Sequence, residues 1–332
     1  MHIITINLRA FALLVISQFY ILAVFGLAEV HAAPSVNVPT PAAKSSAASL
    51  ASMLAVARAG KRIVAVGNYG IALLSDDEGM HFRQASSVPV SSTLTSVFFL
   101  DQRKGWAVGH WGTILRTLDG GENWTIQRQD TAEDRPLFSV YFFNENEGVA
   151  VGLWSLVLKT MDGGMTWSAI SLPEPPDGSK ADRNLYKIFG NGGLLYIAAE
   201  KGMILVSEDK GENWRYLDTG YGGSFWTGMV LSDGSILIGG LRGTMFRSND
   251  KGKHWAAITT DNKSSITDFV EADGVIFASA KDGVLLESVD GGINFIWKQR
   301  DDRLPINSII SVERGVLLLT KKGIYLDQRW SQ

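Results

Sequence analysis

The sequence predicts an all-β fold, a seven-bladed β-propeller with four antiparallel strands per blade. Three observations carry this expectation. A turn of the form Ser/Thr-x-Asp-x-Gly-x-x-Trp/Phe occurs six times. Its closing aromatics, Phe82, Trp124, Trp167, Trp214, Trp255 and Phe295, follow one another at intervals of 40–47 residues. Each interval holds four short apolar or alternating segments, as in LTSVFFL, GWAVG, TILRT and NWTIQR from residue 94 onward. Four strands per period of that length is the mark of a propeller blade, with strand A innermost and strand D outermost.

Six blades carry the turn. A seventh is read from INSII, VLLLT and GIYLD after residue 305, with little chain left for a strand D. An outer edge left open there is a liability that sheets avoid. Either SVNVPT (residues 35–40) or DQRWSQ (residues 327–332) could cover it.

The N-terminus reads as a targeting segment. Residues 10–28, AFALLVISQFYILAVFGLA, contain no charge, and Val30 and Ala32 occupy the −3 and −1 positions of a cut after Ala32. Residues 1–32 are therefore expected to be a signal peptide, with an uncleaved anchor as the alternative. On either reading the remainder is exported, and a periplasmic protein, soluble or membrane-associated, is expected. Residues 33–49 are rich in Pro, Ala and Ser and read as a linker that could close the last blade; residues 50–332 make the propeller.

Composition narrows the chemistry. The net charge of −3 gives no reason to expect nucleic acid as a partner. With no cysteine there is no disulfide and no thiolate metal site. The five histidines show no metal-ligand spacing, and no phosphate-binding glycine loop follows a strand, so neither metal nor cofactor is expected. A monomer is expected.

The repeated turn joins strand C to strand D. Its Asp can accept backbone N–H groups and its Gly permits a positive φ. The aromatic that follows is expected to bury its ring between the strands of its blade. Asp77, Asp119, Asp162, Asp209, Asp250 and Asp290 are thus read as structural. Six equivalent carboxylates around a ring are too many for one active site, and each copy lacks the oxygen ligands calcium wants.

The other face is formed by the B–C and D–A loops. The B–C tips read Tyr69, Trp111 and Trp154 in blades 1–3, then Lys201, Arg242, Lys281 and Lys321/Lys322 in blades 4–7. This is an aromatic arc followed by a basic arc. The D–A loops contribute Asp134-Arg135, Asp182-Arg183 and Asp302-Arg303. Tyr69, Trp111, Trp154, Arg135, Arg183, Arg242 and Arg303 form a candidate docking surface, since exposed Trp, Tyr and Arg dominate binding hot spots. Arginines converging at the channel mouth could also hold a small anionic ligand. The alternatives are that the rings pack on neighbouring loops and that each Asp–Arg pair only ties its loop to its strand.

The repeated turn resembles the Asp-box, or BNR repeat. GWAVGHWGTILRTLDGGENW and GVAVGLWSLVLKTMDGGMTW are similar to repeats of the photosystem II stability/assembly factor family of exported seven-bladed propellers. That resemblance implies a non-catalytic propeller that docks a membrane protein or an envelope transport complex. Asp-box sialidases make a sialidase-like glycoside hydrolase or sugar-binding protein the alternative. Those enzymes need an arginine triad, a Tyr assisted by Glu and an acid/base Asp; no Tyr–Glu pair stands out here.

Protein isolated from the cell envelope should begin at Ala33. N-terminal sequencing decides this, and recovery of Met1 in the membrane pellet would favour the anchor.

Overall fold

The computed structural model describes residues 39–328; the expected targeting segment, residues 1–32, and most of SVNVPT and DQRWSQ lie outside it. Seven antiparallel sheets follow one another along the chain, each pairing in strict sequence order. Blade 2 is representative, with strands Leu94–Phe99, Gly105–Gly109, Ile114–Thr117 and Thr125–Arg128. Blades 1–6 have four strands. Among the described residues blade 7 has three, Ile306–Val312, Gly315–Thr320 and Gly323–Asp327. Its strand A packs against strand A of blade 1 (Met53–Ala59), which closes the ring. No helix of the described residues is long and apolar enough to cross a membrane.

Strand B is short and apolar because neighbouring blades cover both its sides. All five residues of Gly105–Gly109 and of Gly148–Gly152 are buried. The core lies between blades. Val64, Val66 and Leu74 of blade 1 meet Leu115 and Trp124 of blade 2. Val149 and Val151 of blade 3 meet Leu195, Leu205 and Trp214 of blade 4. The closing aromatic is therefore not enclosed by its own blade alone, as the sequence suggested, but fills the gap between that blade and the preceding one, Trp124 also meeting Phe99 of its own blade at 6.1 Å between ring centroids. A single twisted sheet has no interior of its own, so its apolar side chains must meet the next sheet.

All six turns share one hydrogen-bond pattern. The Asp Oδ1 accepts the Ser/Thr hydroxyl two residues before it at 2.8–2.9 Å. The same oxygen accepts the backbone N–H four residues on, at 2.8–2.9 Å. Its Oδ2 meets the side chain of that fourth residue, a His, Asn or Thr, at 2.6–2.9 Å. The Ser/Thr oxygen accepts the Gly N–H at 2.7–3.0 Å. In blade 4, Gly211 has φ 84° and a Cβ there would lie 2.8 Å from Val149, so any side chain would be strained and crowded.

The linker is ordered where it is described. Ala42 N–H donates to Val88 O at 3.0 Å, Ser45 N–H to Gln84 Oε1 at 3.1 Å, and Lys44 bonds Ala85 O. Residues Ala48–Leu50 form a single 3-10 turn beside the outermost strand of blade 7, and a Cβ at Gly323 would meet Ser49 O at 2.5 Å.

Two outcomes follow from the turns. Asp162→Ala should lower the melting temperature by about 3 °C, read by circular dichroism. Acid should act through the same groups. Asp77 and Asp290 are held at about 2 chiefly by backbone N–H donors, and Asp162 at about 2 first by the Thr166 hydroxyl, against an ordinary 3.8. Depressed carboxylates stabilise the fold above their unfolded pKa and stop doing so as pH falls through the folded value. Melting temperature should therefore drop between pH 4 and pH 2, and less steeply for Asp162→Asn.

Candidate functional site

Strand C separates the two faces, so the B–C and D–A loops lie at the end of each blade away from the repeated turns. In six blades the B–C loop is a four-residue turn. Its first C=O accepts the N–H three residues on, as in Asn68 O from Ile71 at 3.1 Å and Leu153 O from Leu156 at 3.1 Å. Both central residues have positive φ: Tyr69/Gly70, Trp111/Gly112, Trp154/Ser155, Lys201/Gly202, Arg242/Gly243 and Asp282/Gly283. These are mirror-image type I′ turns, which suit the twist of a hairpin and normally favour Asn-Gly.

The second position is small because the D–A loop crosses directly over it. A Cβ at Gly70 would fall 1.9 Å from Val90 O, and one at Gly202 only 1.6 Å from Tyr221 O. Blade 3 is the exception. There Ser155 holds the position at φ 55°, its N–H donates to Arg183 O at 2.6 Å, and its hydroxyl accepts Arg183 N–H at 3.0 Å. D–A side chains also hold the tips from below. Trp111 N–H donates to Asp134 Oδ1 at 2.6 Å, Trp154 N–H to Asn184 Oδ1 at 3.3 Å, and Arg242 N–H to Ser265 Oγ at 3.1 Å.

The tips differ in exposure. Tyr69 is 70% exposed and Trp154 49%. Arg242 is exposed, and Trp111 is half-buried. In blade 6 the tip is Asp282, not Lys281 as the sequence suggested. Lys281 lies one residue earlier, where burial pulls its ammonium below the ordinary lysine range and Nζ donates to Asn307 Oδ1 at 3.1 Å. One acidic residue thus interrupts the basic arc.

Of the three Asp–Arg pairs only Asp182–Arg183 lies within ion-pair distance, and none is the self-contained unit the sequence suggested. Asp134 binds His110 Nδ1 at 2.8 Å besides the Trp111 N–H, while Arg135 donates to Leu153 O at 3.2 Å and Trp154 O at 2.6 Å. The pair therefore braces the two adjacent tryptophan turns. Asp302 binds Arg300 at 2.7 Å, leaving Arg303 exposed. Arg183 is 3% exposed and donates to Asp177 at 2.6 Å and Ser179 at 2.6 Å, with Asp182 3.6 Å away. It is a buried residue, not a rim contact. With Arg135 and Arg183 engaged in this way, the expected convergence of three free arginines on an anion does not form.

Four further features escaped the sequence reading. Strand A of every blade begins with a β-bulge, at Leu54, Thr95, Phe138, Tyr186, Trp226, Thr267 and Asn307. Bulges re-aim a side chain, and here several reach the next blade. Thr95 Oγ1 donates to Leu137 O at 2.6 Å, Thr267 Oγ1 to Ile306 O at 2.9 Å, and Asn307 Nδ2 to Met53 O at 2.9 Å. Phe138 stacks on Tyr186 with ring centroids 5.8 Å apart. Tyr186 donates to Glu200 at 3.0 Å, so a Tyr–Glu pair does exist on this face. Burial pushes that phenol up to about 12, and Glu200 also accepts Asn184 N–H and Nδ2 at 3.1 and 2.7 Å. Deeper in, a cavity of about 280 Å³ lined by strands A of blades 2–6 holds Lys187 3.6 Å from Asp268, which also accepts Ser308 Oγ at 2.5 Å. Among the described residues no three His, Asp or Glu side chains could share a metal ion.

The geometry defines a class: a seven-bladed propeller locked by repeated turns on one face and presenting bulky tips on the other. The model of the photosynthesis system II assembly factor YCF48 family matches residues 80–226 and 139–274, and the chain belongs to that family. The photosystem II assembly protein Ycf48 of Thermosynechococcus vestitus is 40% identical over 134 residues, a segment that spans 40% of this chain and 38% of that protein. Two solved structures share the fold. YCF48 bound to D1 peptide superposes with a TM-score of 0.67 at 18% identity, over 83% of this chain and 92% of that one. YCF48 from Cyanidioschyzon merolae gives 0.65 at 15%, over 86% and 96%.

A bulky residue held at φ near +58° costs on the order of 1 kcal/mol. Arg242→Asn, which places the residue a type I′ turn favours, should raise stability by roughly 0.5–1 kcal/mol in a denaturant titration.

Proposed function

We propose that the chain is a non-catalytic exported docking factor that receives a segment of a membrane-protein client on its B–C/D–A face. The observation that carries this reading is the set of left-handed turn tips. Tyr69, Trp111, Trp154, Lys201 and Arg242 all occupy a backbone conformation that Asn or Gly would hold at lower cost. On the opposite face Gly holds the equivalent place in three of six turns; five successive bulky tips are expected where the side chains are used. Rigid aromatic and guanidinium groups on propped turns lose little entropy when a partner binds. Family membership and the D1 peptide bound by a structurally similar YCF48 support a peptide-like client. Export to the periplasm, and cleavage near Ala32, belong to the same proposal.

The Tyr186–Glu200 pair is the one feature that favours a sialidase-like hydrolase. Against it, the phenol is raised rather than lowered, and Arg135 is engaged by the Leu153 and Trp154 carbonyls instead of facing a substrate carboxylate. Docking is therefore the reading adopted.

Surface plasmon resonance against a D1 peptide, and against clients captured from detergent-solubilised membranes, tests the proposal. Trp154→Ala should weaken binding at least tenfold, about 1.4 kcal/mol, with an unchanged melting temperature. Trp111→Ala, half-buried, should reduce both binding and stability. Arg242→Glu with Arg303→Glu should slow association, and high salt should narrow the difference. Normal binding by the Trp154 variant, or an equal loss on substituting exposed residues of the opposite face, would refute it.

A further inference from the structure

The connection between blades 3 and 4 differs from the rest. Residues 170–184 link strand Ser168–Ala169 to strand Leu185–Asn191 in fifteen residues, where the other five described D–A connections between blades take six to nine. Loops of this length inside a compact domain are usually functional or disordered. This one is neither loose nor apolar. Pro173 O accepts the Tyr216 hydroxyl at 3.3 Å, Pro175 is buried, and a turn at Gly178 brings Asp177 and Ser179 back over Arg183.

The contact made there is incomplete. Asp177 Oδ2 and Ser179 Oγ both accept hydrogen bonds from one terminal nitrogen of Arg183, each at 2.6 Å. The neighbouring Nε is buried and has no acceptor. A guanidinium binds a carboxylate best through two parallel N–H donors, and Nε with one terminal nitrogen is such a fork. Here half of that fork is filled by a monodentate, exposed carboxylate and half is empty. An unsatisfied buried donor is costly, and a monodentate exposed ion pair offsets little of that cost. The backbone of Arg183 is fixed from the other side by Ser155, at the turn that carries Trp154.

We propose that residues 170–184 form a strap that occupies the Arg183 guanidinium with the chain's own Asp177, and that a carboxylate of the docked protein displaces it to make the two-point contact. The inference rests on the docking reading and adds a regulated subsite to it. Arg183 becomes a latent receptor next to the Trp154 tip. A partner that lacks a carboxylate at that point meets a closed strap.

The test uses the whole chain and acetate as probe, so that it does not depend on the client. The variant Asp177→Asn/Ser179→Ala removes the strap's grip with little change of volume. In ¹⁵N-arginine-labelled protein the Arg183 Nε–H resonance should move with acetate, at constant ionic strength against chloride. Its apparent Kd should be at least tenfold lower in the variant than in the wild type. Amide exchange across residues 171–182 should rise in the same variant. With Arg183→Lys added, which keeps the charge and loses the fork, none of the remaining arginine Nε–H resonances should respond to acetate with that Kd; circular dichroism confirms that each variant is folded. Faster exchange with no gain in acetate affinity would show that the fork is not a receptor, and unchanged exchange would show that the segment is not a strap. A failure of client capture by the Trp154 face leaves this titration unaffected, so the two ideas fail separately.

Discussion

The hydrogen bonds that each turn aspartate accepts, from the hydroxyl two residues before it and from the backbone four residues after it, set the geometry on which the rest depends. They fix the C–D hairpin and hence the place where the closing aromatic emerges. That ring fills the gap to the preceding blade, as Trp214 does against Val149 and Val151. Local turn chemistry thereby becomes blade-to-blade packing. Because the constraint lies wholly at one end of the strands, the opposite end is relieved of it. The B–C tips can then change from Tyr to Trp, Lys, Arg or Asp without altering the fold.

The two faces solve the turn problem differently. On the locked face the first residue at positive φ is Gly in three turns and Glu78, Lys210 or Lys251 in the others, the second is always Gly, and side chains of the turn itself satisfy the backbone. On the other face the first turn residue is bulky and its N–H is satisfied from the next loop along, as by Asp134, Asn184 or Ser265. A tip held by a loop of the next connection cannot move independently of it. This couples Trp111 to Arg135, Arg135 to Trp154, and Trp154 to Asn184, so the aromatic sector behaves as one rigid ledge.

The fold was legible because one pattern, repeated six times, reports local chemistry. Ser or Thr, Asp, Gly and the aromatic lie within eight residues, and every bond of the turn falls inside that window. The tips Tyr69, Trp111, Trp154 and Arg242 were legible for the same reason. What escaped depends on partners far apart in sequence. Arg183 reads like Arg135 and Arg303, yet a loop of unusual length buries it under Asp177. Tyr186 and Glu200 belong to different strands, and nothing local marks them as a pair. The bulges at Phe138, Tyr186 and Trp226 leave no gap in the alternation of strand A, although an aromatic in the second place of three successive A strands was a visible signal. Lys281 was misplaced by one residue because KDG and EKG look alike until the φ angles are known.

Closure of the ring follows another logic. Among the described residues blade 7 lacks a strand D, so no sheet contains strands from both ends of the propeller. The seam is held instead by single side chains that reach across some 250 residues of sequence. Arg58 of blade 1 binds Glu78 at 2.7 Å and Ser311 O at 2.8 Å, and Asn307 binds Met53 O at 2.9 Å. Ala48–Leu50 covers part of the open edge without adding a strand. A ring stapled in this way is continuous in packing and interrupted in its backbone ladder. The aromatic ledge lies in blades 2 to 4, away from that seam, where every blade has all four strands. That sector, remote from the seam, also presents Trp154, the most exposed tryptophan among the described residues.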